Sequence, residues 1–452
     1  MSSRTRTAAD ATRSWARAHP GLSGLAFAAL GLTVGLVLGI AVPPLFEPDQ
    51  DLERGILRLL TSEDESEGGQ RGKLIKQWDD AHPDQEVKLV TVSRSPDKAH
   101  SEMLNPIEQV DVYNLDVTWT AEFAATGRIQ SLDPESLERR GLLQGFLAEP
   151  RKTAEYDGRL WALPFNTDAG LLYYRTYDRK NPETPGQRWP DPPESWADIQ
   201  NRGEEALNPQ DPQYDPKLEA GYAWQLVDDE ILTVNALEAI WSTGGEVVNA
   251  DNQVVLDSTA AEEGLRRLKD GLAVGGKPLV HPDSVDFDEK ATTNAFAEGR
   301  LLAMRNWPVA YRDLTSVEAA QRVDFEVAAV PGRSVLGGQN LAVASGTRMP
   351  NAARDLIEFL TGERSQQILF EHGGFAATRR IVYLDPNIAE RYGYADDLLR
   401  AIERAGSRPV TPHYILFSKV FRDVVHQALD GDGKFTEDHV RRLTDALHGK
   451  QT

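Results

Sequence analysis

Apolar and polar residues alternate along the first half of the chain in the pattern of short strands separated by helices. Apolar periods of two residues mark strands, and periods near 3.6 residues mark helices. The predicted elements are strands at Ile56 to Leu60, Glu86 to Val92 and Val110 to Leu115, and helices at Gly72 to Ala81 and Thr118 to Thr126. This succession predicts a mainly parallel α/β sheet.

The second half of the chain contains further predicted helices and strands, and it carries clear helix-start signals. Ser195 with Asp198, and Thr259 with Glu262, have the spacing of a capping box, in which two side chains satisfy backbone N–H groups at a helix start. The further predicted helices are Ala291 to Glu298, Asn351 to Leu360 and Ser365 to His372, and the further strands are Phe325 to Val330 and Leu341 to Ala344.

A long uncharged apolar run, Leu22 to Val42, precedes all of these elements. At about 1.5 Å per residue, a helix of this length crosses the ~30 Å hydrocarbon core of a bilayer. Residues 1–21 are basic, which predicts that they stay in the cytoplasm and that the rest of the chain is exported. A cleaved signal peptide is the alternative, but its apolar region is usually about 7–15 residues long. We therefore predict a retained single-pass transmembrane helix in the cell membrane, followed by a linker at 43–51.

Size and charge narrow the class of protein. The chain has 452 residues, 40% of them hydrophobic, which is enough for two cores because single cores stop growing near 250–300 residues. Its net charge of −21 argues against nucleic acid as a partner, since a phosphate backbone needs clustered Lys and Arg. The chain has no cysteine, which excludes disulfides, thiolate metal sites and a lipid-modified cysteine.

Several enzyme and metal motifs fail on inspection. Gly68 to Leu74 has the wrong glycine spacing for a phosphate loop, and Leu74 stands where a magnesium-binding hydroxyl is needed. Asp430 to Lys434 begins like a calcium loop, but Lys434 and Phe435 replace a ligand and the required glycine, so a turn between helices is predicted. The nine histidines show no zinc-binding spacing. The sequence therefore predicts no metal and no cofactor.

The segment from Leu163 to Arg175 places Asn166 and Asp168 directly before the strand-like Leu171 to Arg175. It resembles the hinge and the first strand of the second lobe in extracellular solute-binding proteins of sugar ABC importers. The similarity extends over nearly all of residues 52–430. It implies an α/β, two-lobed periplasmic-binding-protein fold of the Venus-flytrap type. By resemblance, lobe 1 comprises residues 52–163 and 326–372, and lobe 2 comprises residues 164–325 and 373–450.

The resemblance also implies a set of ligand-contacting residues. Asp116 and Thr118 lie in an Asn-Leu-Asp-Val-Thr-Trp context that resembles a family segment holding sugar hydroxyls, although either residue is also a suitable helix cap. Trp307 matches a tryptophan that stacks on a sugar ring, with a place in the core as the alternative. Asn166 and Asp168 suit adjacent hydroxyls or, alternatively, a hinge turn. The implied set is Asp64, Asp116, Thr118, Asn166, Asp168, Glu230, Asn306, Trp307, Gly338, Asn340 and Arg379.

Other features of the sequence leave the identity of the ligand undecided. Gln339 stands where many sugar-binding relatives have tryptophan, so one stacking surface is missing, and Asp64 belongs to an acidic stretch that is also typical of a solvated loop. The implied function is capture of a carbohydrate, an oligosaccharide, for an ABC permease, without catalysis. One alternative is a sugar-sensing receptor of the same fold, favoured by the small-residue ridge of Gly31, Gly35 and Gly39. The second alternative is a glycoside hydrolase, which needs two carboxylates placed on either side of the bond that is cleaved, and no spacing of carboxylates in the sequence indicates such a pair.

Overall fold

The structure is a computed structural model, and it describes residues 52–177, 191–211, 214–249, 251–256, 258–270, 279–315 and 323–450. The predicted basic segment at 1–21, the transmembrane helix at 22–42 and the linker at 43–51 lie outside these ranges. Within them, no helix is both long enough and apolar enough to cross a membrane. Residues Glu53–Thr452 form one compact unit of the chain.

Eleven strands are found among the described residues. They are β1 (Gly55–Thr61), β2 (Gln85–Thr91), β3 (Val112–Asp116), β4 (Glu155–Tyr156), β5 (Arg159–Leu160), β6 (Leu163–Ala169), β7 (Leu171–Tyr177), β8 (Ala220–Ala223), β9 (Leu301–Asn306), β10 (Asp324–Ala329) and β11 (Leu336–Val343). The predicted strands all lie at these positions, with ends shifted by a few residues.

The α-helices of the described ranges connect and cover these strands. They are α1 (Gln70–Ala81), α2 (Pro96–Leu104), α3 (Thr120–Ala125), α4 (Pro134–Arg139), α5 (Ala148–Thr153), α6 (Trp196–Ala206), α7 (Glu230–Trp241), α8 (Thr259–Asp270), α9 (Glu289–Ala297), α10 (Val309–Thr315), α11 (Pro350–Thr361), α12 (Glu363–Gly373), α13 (Pro386–Arg391), α14 (Ala395–Arg404), α15 (Tyr414–Asp430) and α16 (Glu437–Leu447). The predicted turn at Asp430 joins the last two.

The strands form two main sheets, which define the two lobes. The first sheet has the order β2-β1-β3-β11-β6, and the second has the order β10-β7-β9-β8. Only β1–β2, β1–β3 and β8–β9 pair in parallel, because β11 and β7 run antiparallel to both of their neighbours. Even so, four of the five strands of the first sheet and three of the four strands of the second run in one direction, and β11 and β7 are the reversed strands. The prediction of a mainly parallel sheet holds for strand direction, but the two reversed strands were not predicted, because periodicity does not report which strands become neighbours.

The chain changes from one sheet to the other later than the resemblance implied. Strand β6, which contains Asn166 and Asp168, belongs to the first sheet, and β10 belongs to the second. The crossings therefore follow Ala169 and Ala329, whereas the predicted boundaries were at 164 and 326. As a result, Asn166 and Asp168 extend from lobe 1 rather than lobe 2.

Helix α7 forms the centre of the lobe 2 core. Residues 231–240 are all buried, which is the pattern of a helix that is enclosed by other elements on every face. It packs against α8 and α15. The capping box at Ser195 is confirmed, since the Ser195 hydroxyl accepts from the Asp198 N–H. At α8, however, Ser258 rather than Thr259 caps the helix, because its Oγ accepts from the Ala261 N–H at 3.1 Å.

Candidate functional site between the two sheets

A cavity of about 550 Å³ lies where residues of both sheets approach each other. Lobe 1 contributes Asp116 at the end of β3, residues of β6, and the start of β11. Lobe 2 contributes the first turn of α7, the first turn of α9, and Trp307 after β9. The ends of strands and the starts of helices leave backbone and side-chain polar groups unpaired, so this is a favourable place for a ligand.

Arg408 connects the two lobes at one end of the cavity. Its Nη1 donates to Glu230 Oε1 on α7 at 2.8 Å, and its Nη2 reaches Asp116 Oδ1 on β3 at 3.4 Å. Glu230 also accepts from the hydroxyls of Tyr414 and Ser418. Burial by itself would lower the pKa of Arg408, but the neighbouring carboxylates outweigh it and raise the pKa, so this guanidinium stays charged.

Strand β6 presents Asn166 and Asp168 to the cavity. Residues two apart on a strand share one face, which explains why both side chains reach the same space. No hydrogen bond from the described residues reaches Asn166 Oδ1, and this atom is buried. Burial raises the pKa of Asp168 to about 7; Arg305 opposes this shift and Asp116 adds to it. The Asp168 carboxylate is thus available to a ligand that donates hydrogen bonds, and Asn166 lies beside it on the same strand face.

Trp307 forms an apolar wall between two carboxylates. Its indole Nε1 donates to Glu289 Oε1 at 3.3 Å, while Arg305 covers one ring face at 3.8 Å from the centroid. The other end of the indole lies beside Gly337, where an added Cβ would be 3.3 Å from Trp307 Cζ3 and 3.2 Å from Asp168 Cβ. The ring is half-buried, so it both packs against the lobe 2 core and lines the cavity.

Gly338 is required by the backbone here. Its φ is 123°, a conformation that residues with a Cβ rarely adopt, and an added Cβ would be 2.3 Å from the carbonyl oxygen of Asn166. The glycine lets β11 approach β6 closely enough for the two strands to form one wall of the cavity.

The chain matches the model of the bacterial extracellular solute-binding protein family over residues 63–367, which is most of its length. It belongs to this family. A "Probable ABC transporter-binding protein" of Deinococcus radiodurans is 26% identical over 357 residues, which are 76% of this chain and 81% of the relative.

Solved structures of solute-binding proteins have the same architecture. Maltose-bound MalE3 of T. maritima superposes with a TM-score of 0.73 at 26% identity, covering 87% of this chain and 99% of MalE3. The GacH receptor of Streptomyces glaucescens superposes with a TM-score of 0.70 at 21% identity, covering 88% of this chain and 100% of GacH. The predicted two-lobed fold is confirmed. The family and these relatives are binding proteins, which also confirms the prediction that the chain is not an enzyme.

Six of the predicted site residues of this solute-binding protein line the cavity. They are Asp116, Asn166, Asp168, Glu230, Trp307 and Gly338. The resemblance predicted that these segments meet in one cleft between the lobes, and these six residues do line one cavity. Whether each of them contacts a ligand stays a prediction.

Asp64 and Thr118 have structural contacts instead. Asp64 accepts from the Ser66 and Gly72 N–H groups at 3.1 and 2.9 Å, so it stabilises the start of α1. The Thr118 hydroxyl donates to Asp116 Oδ1 at 2.6 Å and thereby orients a carboxylate that lines the cavity. Whether Asp64 and Thr118 also contact a ligand stays a prediction.

The other three predicted residues lie within the protein interior. Asn306 donates to the Glu289 carbonyl oxygen at 2.9 Å, and Asn340 donates to Thr120 Oγ1 at 3.0 Å. Arg379 donates to three backbone carbonyl oxygens, those of Leu142, Gln144 and Thr361. Burial lowers the pKa of Arg379 to about 10. These side chains join distant parts of the chain and do not line the cavity, and their contact with a ligand stays an untested prediction.

Sequence reasoning missed several residues that line the cavity. Arg408 had no local signal, since it lies 292 positions from Asp116. Glu289 precedes a predicted helix and reads as an ordinary first-turn acid, while Phe375 follows a helix C-terminus. Gln339, the residue in place of a common tryptophan, does line the cavity and accepts from Asn114 Nδ2 at 2.8 Å.

Proposed function

We propose that the protein captures a carbohydrate, specifically an oligosaccharide, between its two lobes and presents it to an ABC permease. The observation that carries this proposal is the combination of one indole face with unpaired polar groups in a cavity of about 550 Å³. An indole covers the apolar C–H face of a pyranose, while polar groups bind the hydroxyls at its rim. The likeness to maltose-bound MalE3 supports the same class of ligand.

Binding is coupled to the relative position of the lobes. Arg408 joins Asp116 of lobe 1 to Glu230 of lobe 2, and Arg312 Nη1 donates to the Glu65 carbonyl oxygen at 2.7 Å. A ligand that contacts both lobes favours the closed arrangement by the free energy of those added contacts. The permease would then recognise the closed form.

A thermal-shift screen of the full chain in mild detergent tests this function. Maltose, maltotriose, chitotriose and lactose, each beside its constituent monosaccharides, are compared at increasing concentrations. At about 100 times the dissociation constant, binding to the folded state adds about 2.7 kcal/mol. We expect at least one oligosaccharide to raise the melting temperature more than its constituent monosaccharide. A panel without any shift would contradict the proposal.

Trp307→Ala is expected to weaken ligand binding strongly, whereas Trp196→Ala is expected to weaken the fold. Trp196 packs on Trp224 and Tyr222 in the lobe 2 core, with ring centroids 4.9 and 5.3 Å away. Removing this half-buried indole should cost about 2–3 kcal/mol. Losing the Trp307 face should reduce sugar affinity about tenfold or more. Calorimetry of both variants measures sugar affinity, and urea unfolding measures the stability of the fold. If Trp307→Ala binds sugar as tightly as the wild type, Trp307 serves only the core.

We also propose that residues 22–42 anchor the protein in the cell membrane after export. The length and apolar character of this run support a retained helix. Fractionation of cells that produce the full chain should recover it with the membranes, and N-terminal sequencing should find residues that precede Leu22. Recovery from the culture medium with an N-terminus near Val42 would show that the segment is cleaved.

A further inference from the structure

The cavity lining carries far more negative than positive charge. Among the described residues that line it, eight are carboxylates and two are guanidinium groups. The carboxylates are Glu63, Glu65, Asp116, Asp168, Asp229, Glu230, Asp288 and Glu289, and the guanidinium groups are Arg94 and Arg408. A neutral polyol does not require this imbalance.

The nearby arginines are already engaged by other carboxylates. Arg408 pairs with Asp116 and Glu230, and Arg94 pairs with Glu63. Arg305, behind the indole, forms a bidentate pair with buried Glu238 at 2.8 and 2.9 Å, while its Nη1 has no hydrogen-bond partner among the described residues.

Two half-buried carboxylates at the indole lack an ion pair among the described residues, although the positive charge of nearby Arg305 opposes the rise in the pKa of each. Asp168 and Glu289 form no ion pair with any Lys or Arg in the part of the chain that the structure describes. Glu289 accepts one hydrogen bond from Trp307, and Asp168 accepts none from the described residues. Burying a charge without a partner is costly, so these groups favour a ligand that supplies positive charge.

An independent observation at Asn166 points to the same kind of ligand. This residue is 9% exposed and lines the cavity, and its Oδ1 has no hydrogen-bond partner among the described residues. It lies on the same face of β6 as Asp168. Asn166 therefore has an acceptor that no described residue satisfies, next to the Asp168 carboxylate, which suits a group with several N–H donors.

The arrangement does not favour a metal ion. Asp168 and Glu289 stand at opposite ends of the indole, since Glu289 contacts Nε1 and Asp168 lies beside Gly337 at the far ring edge. Within the described ranges, no three His, Asp or Glu side chains are grouped closely enough to hold a metal. The positive charge is thus expected on an organic ligand.

We propose that the ligand is a saccharide bearing a protonated amine, whose ammonium group donates to Asp168 and Asn166 while a sugar ring stacks on Trp307. This inference rests on the proposed carbohydrate-binding function and narrows its ligand class. An ammonium group supplies three donors and the missing charge, and charge-assisted hydrogen bonds are about twice as strong as neutral ones.

Calorimetry with matched sugar pairs tests the inference on the full chain in mild detergent at pH 7.5. Each pair compares an amine with a neutral group at the same position: chitosan trimer with the N-acetylated trimer, and an amino-deoxymaltotriose with maltotriose. Spermidine serves as a cation without a sugar ring. Asp168→Asn removes the proposed contact, and Asp80→Asn makes the same change on the exposed face of α1 as a control.

We expect an amino sugar to bind about tenfold more tightly than its neutral partner, with this preference lost in Asp168→Asn and kept in Asp80→Asn. Equal affinity for both members of each pair would overturn the inference and leave the carbohydrate-binding function intact. If spermidine binds as tightly as the amino sugar, the inference that the ligand is a saccharide is overturned. If no sugar binds, both proposals are wrong. A preference that survives in Asp168→Asn would also overturn the assignment of the ammonium site.

Discussion

Asp168→Asn is expected to make the ligand-free protein more stable at pH 8 than the wild type. The pKa of this carboxyl is about 7 in the folded protein against an ordinary value of 3.8. Between these two values the unfolded chain releases the proton more readily than the folded protein, so stability falls as pH rises through the folded pKa. Asparagine carries no such cost, because it is neutral at every pH.

The size of this effect follows from the pKa difference. One unit corresponds to about 1.36 kcal/mol, and water that reaches the half-buried group reduces the total, so a gain of about 1–3 kcal/mol is expected at pH 8. Urea unfolding at pH 5 and pH 8 should show a larger gain at the higher pH. Asp80→Asn, on an exposed helix face, should lack this trend. A gain that shrinks from pH 5 to pH 8 would contradict the assigned direction.

The same substitution is expected to weaken ligand binding. A group that destabilises the empty fold and improves binding is characteristic of a functional site. A variant that gains stability and keeps full affinity for its sugar would place Asp168 outside the binding machinery.

Arg305→Ala is expected to destabilise the fold strongly, by more than Trp196→Ala does. Arg305 and Glu238 are 1% and 4% exposed and joined by two hydrogen bonds, and Glu238 Oε1 also accepts from the Val335 N–H at 2.9 Å. Removing one partner of a buried ion pair costs about 3–5 kcal/mol, because the other charge stays buried without compensation. Since Arg305 also supports one face of Trp307, sugar affinity should fall as well.

Two further variants distinguish lost charge from lost packing. Arg305→Met combined with Glu238→Gln keeps an acceptor for Val335 and removes both charges, so it should recover part of the stability. Arg441→Ala, an exposed arginine on α16, should unfold at the urea concentration of the wild type. If Arg305→Ala unfolds there too, the buried pair contributes no net stability.

Local patterns were sufficient for most elements of the fold. The strands and helices predicted from periodicity are present, and Ser195 caps α6 as its spacing with Asp198 indicates. These features depend on neighbouring residues, so the sequence carries them directly. The order of strands depends on contacts between distant segments, which explains why the two reversed strands, β11 and β7, and the points where the chain changes sheet were not predicted.

For the site, motif resemblance selected segments that line the cavity but did not separate cavity-facing from interior side chains. Trp307 lines the cavity and its neighbour Asn306 is fully buried. The same uncertainty applies to Asn340 and Arg379, whose partners are backbone and side-chain groups far away in the chain. A polar residue turns inward when such partners exist, and sequence spacing does not report them.

The sequence by itself determined the class of protein: a cysteine-free, acidic, two-lobed α/β binding protein with a polar segment before strand β7. Tertiary structure alone decided the chemistry of the cavity. It brought Arg408 between Asp116 and Glu230, and it left Asp168 beside Trp307 without an ion pair among the described residues. Charge balance in a buried space depends on which distant groups meet there, because Coulomb interactions act over distances in space and not along the chain.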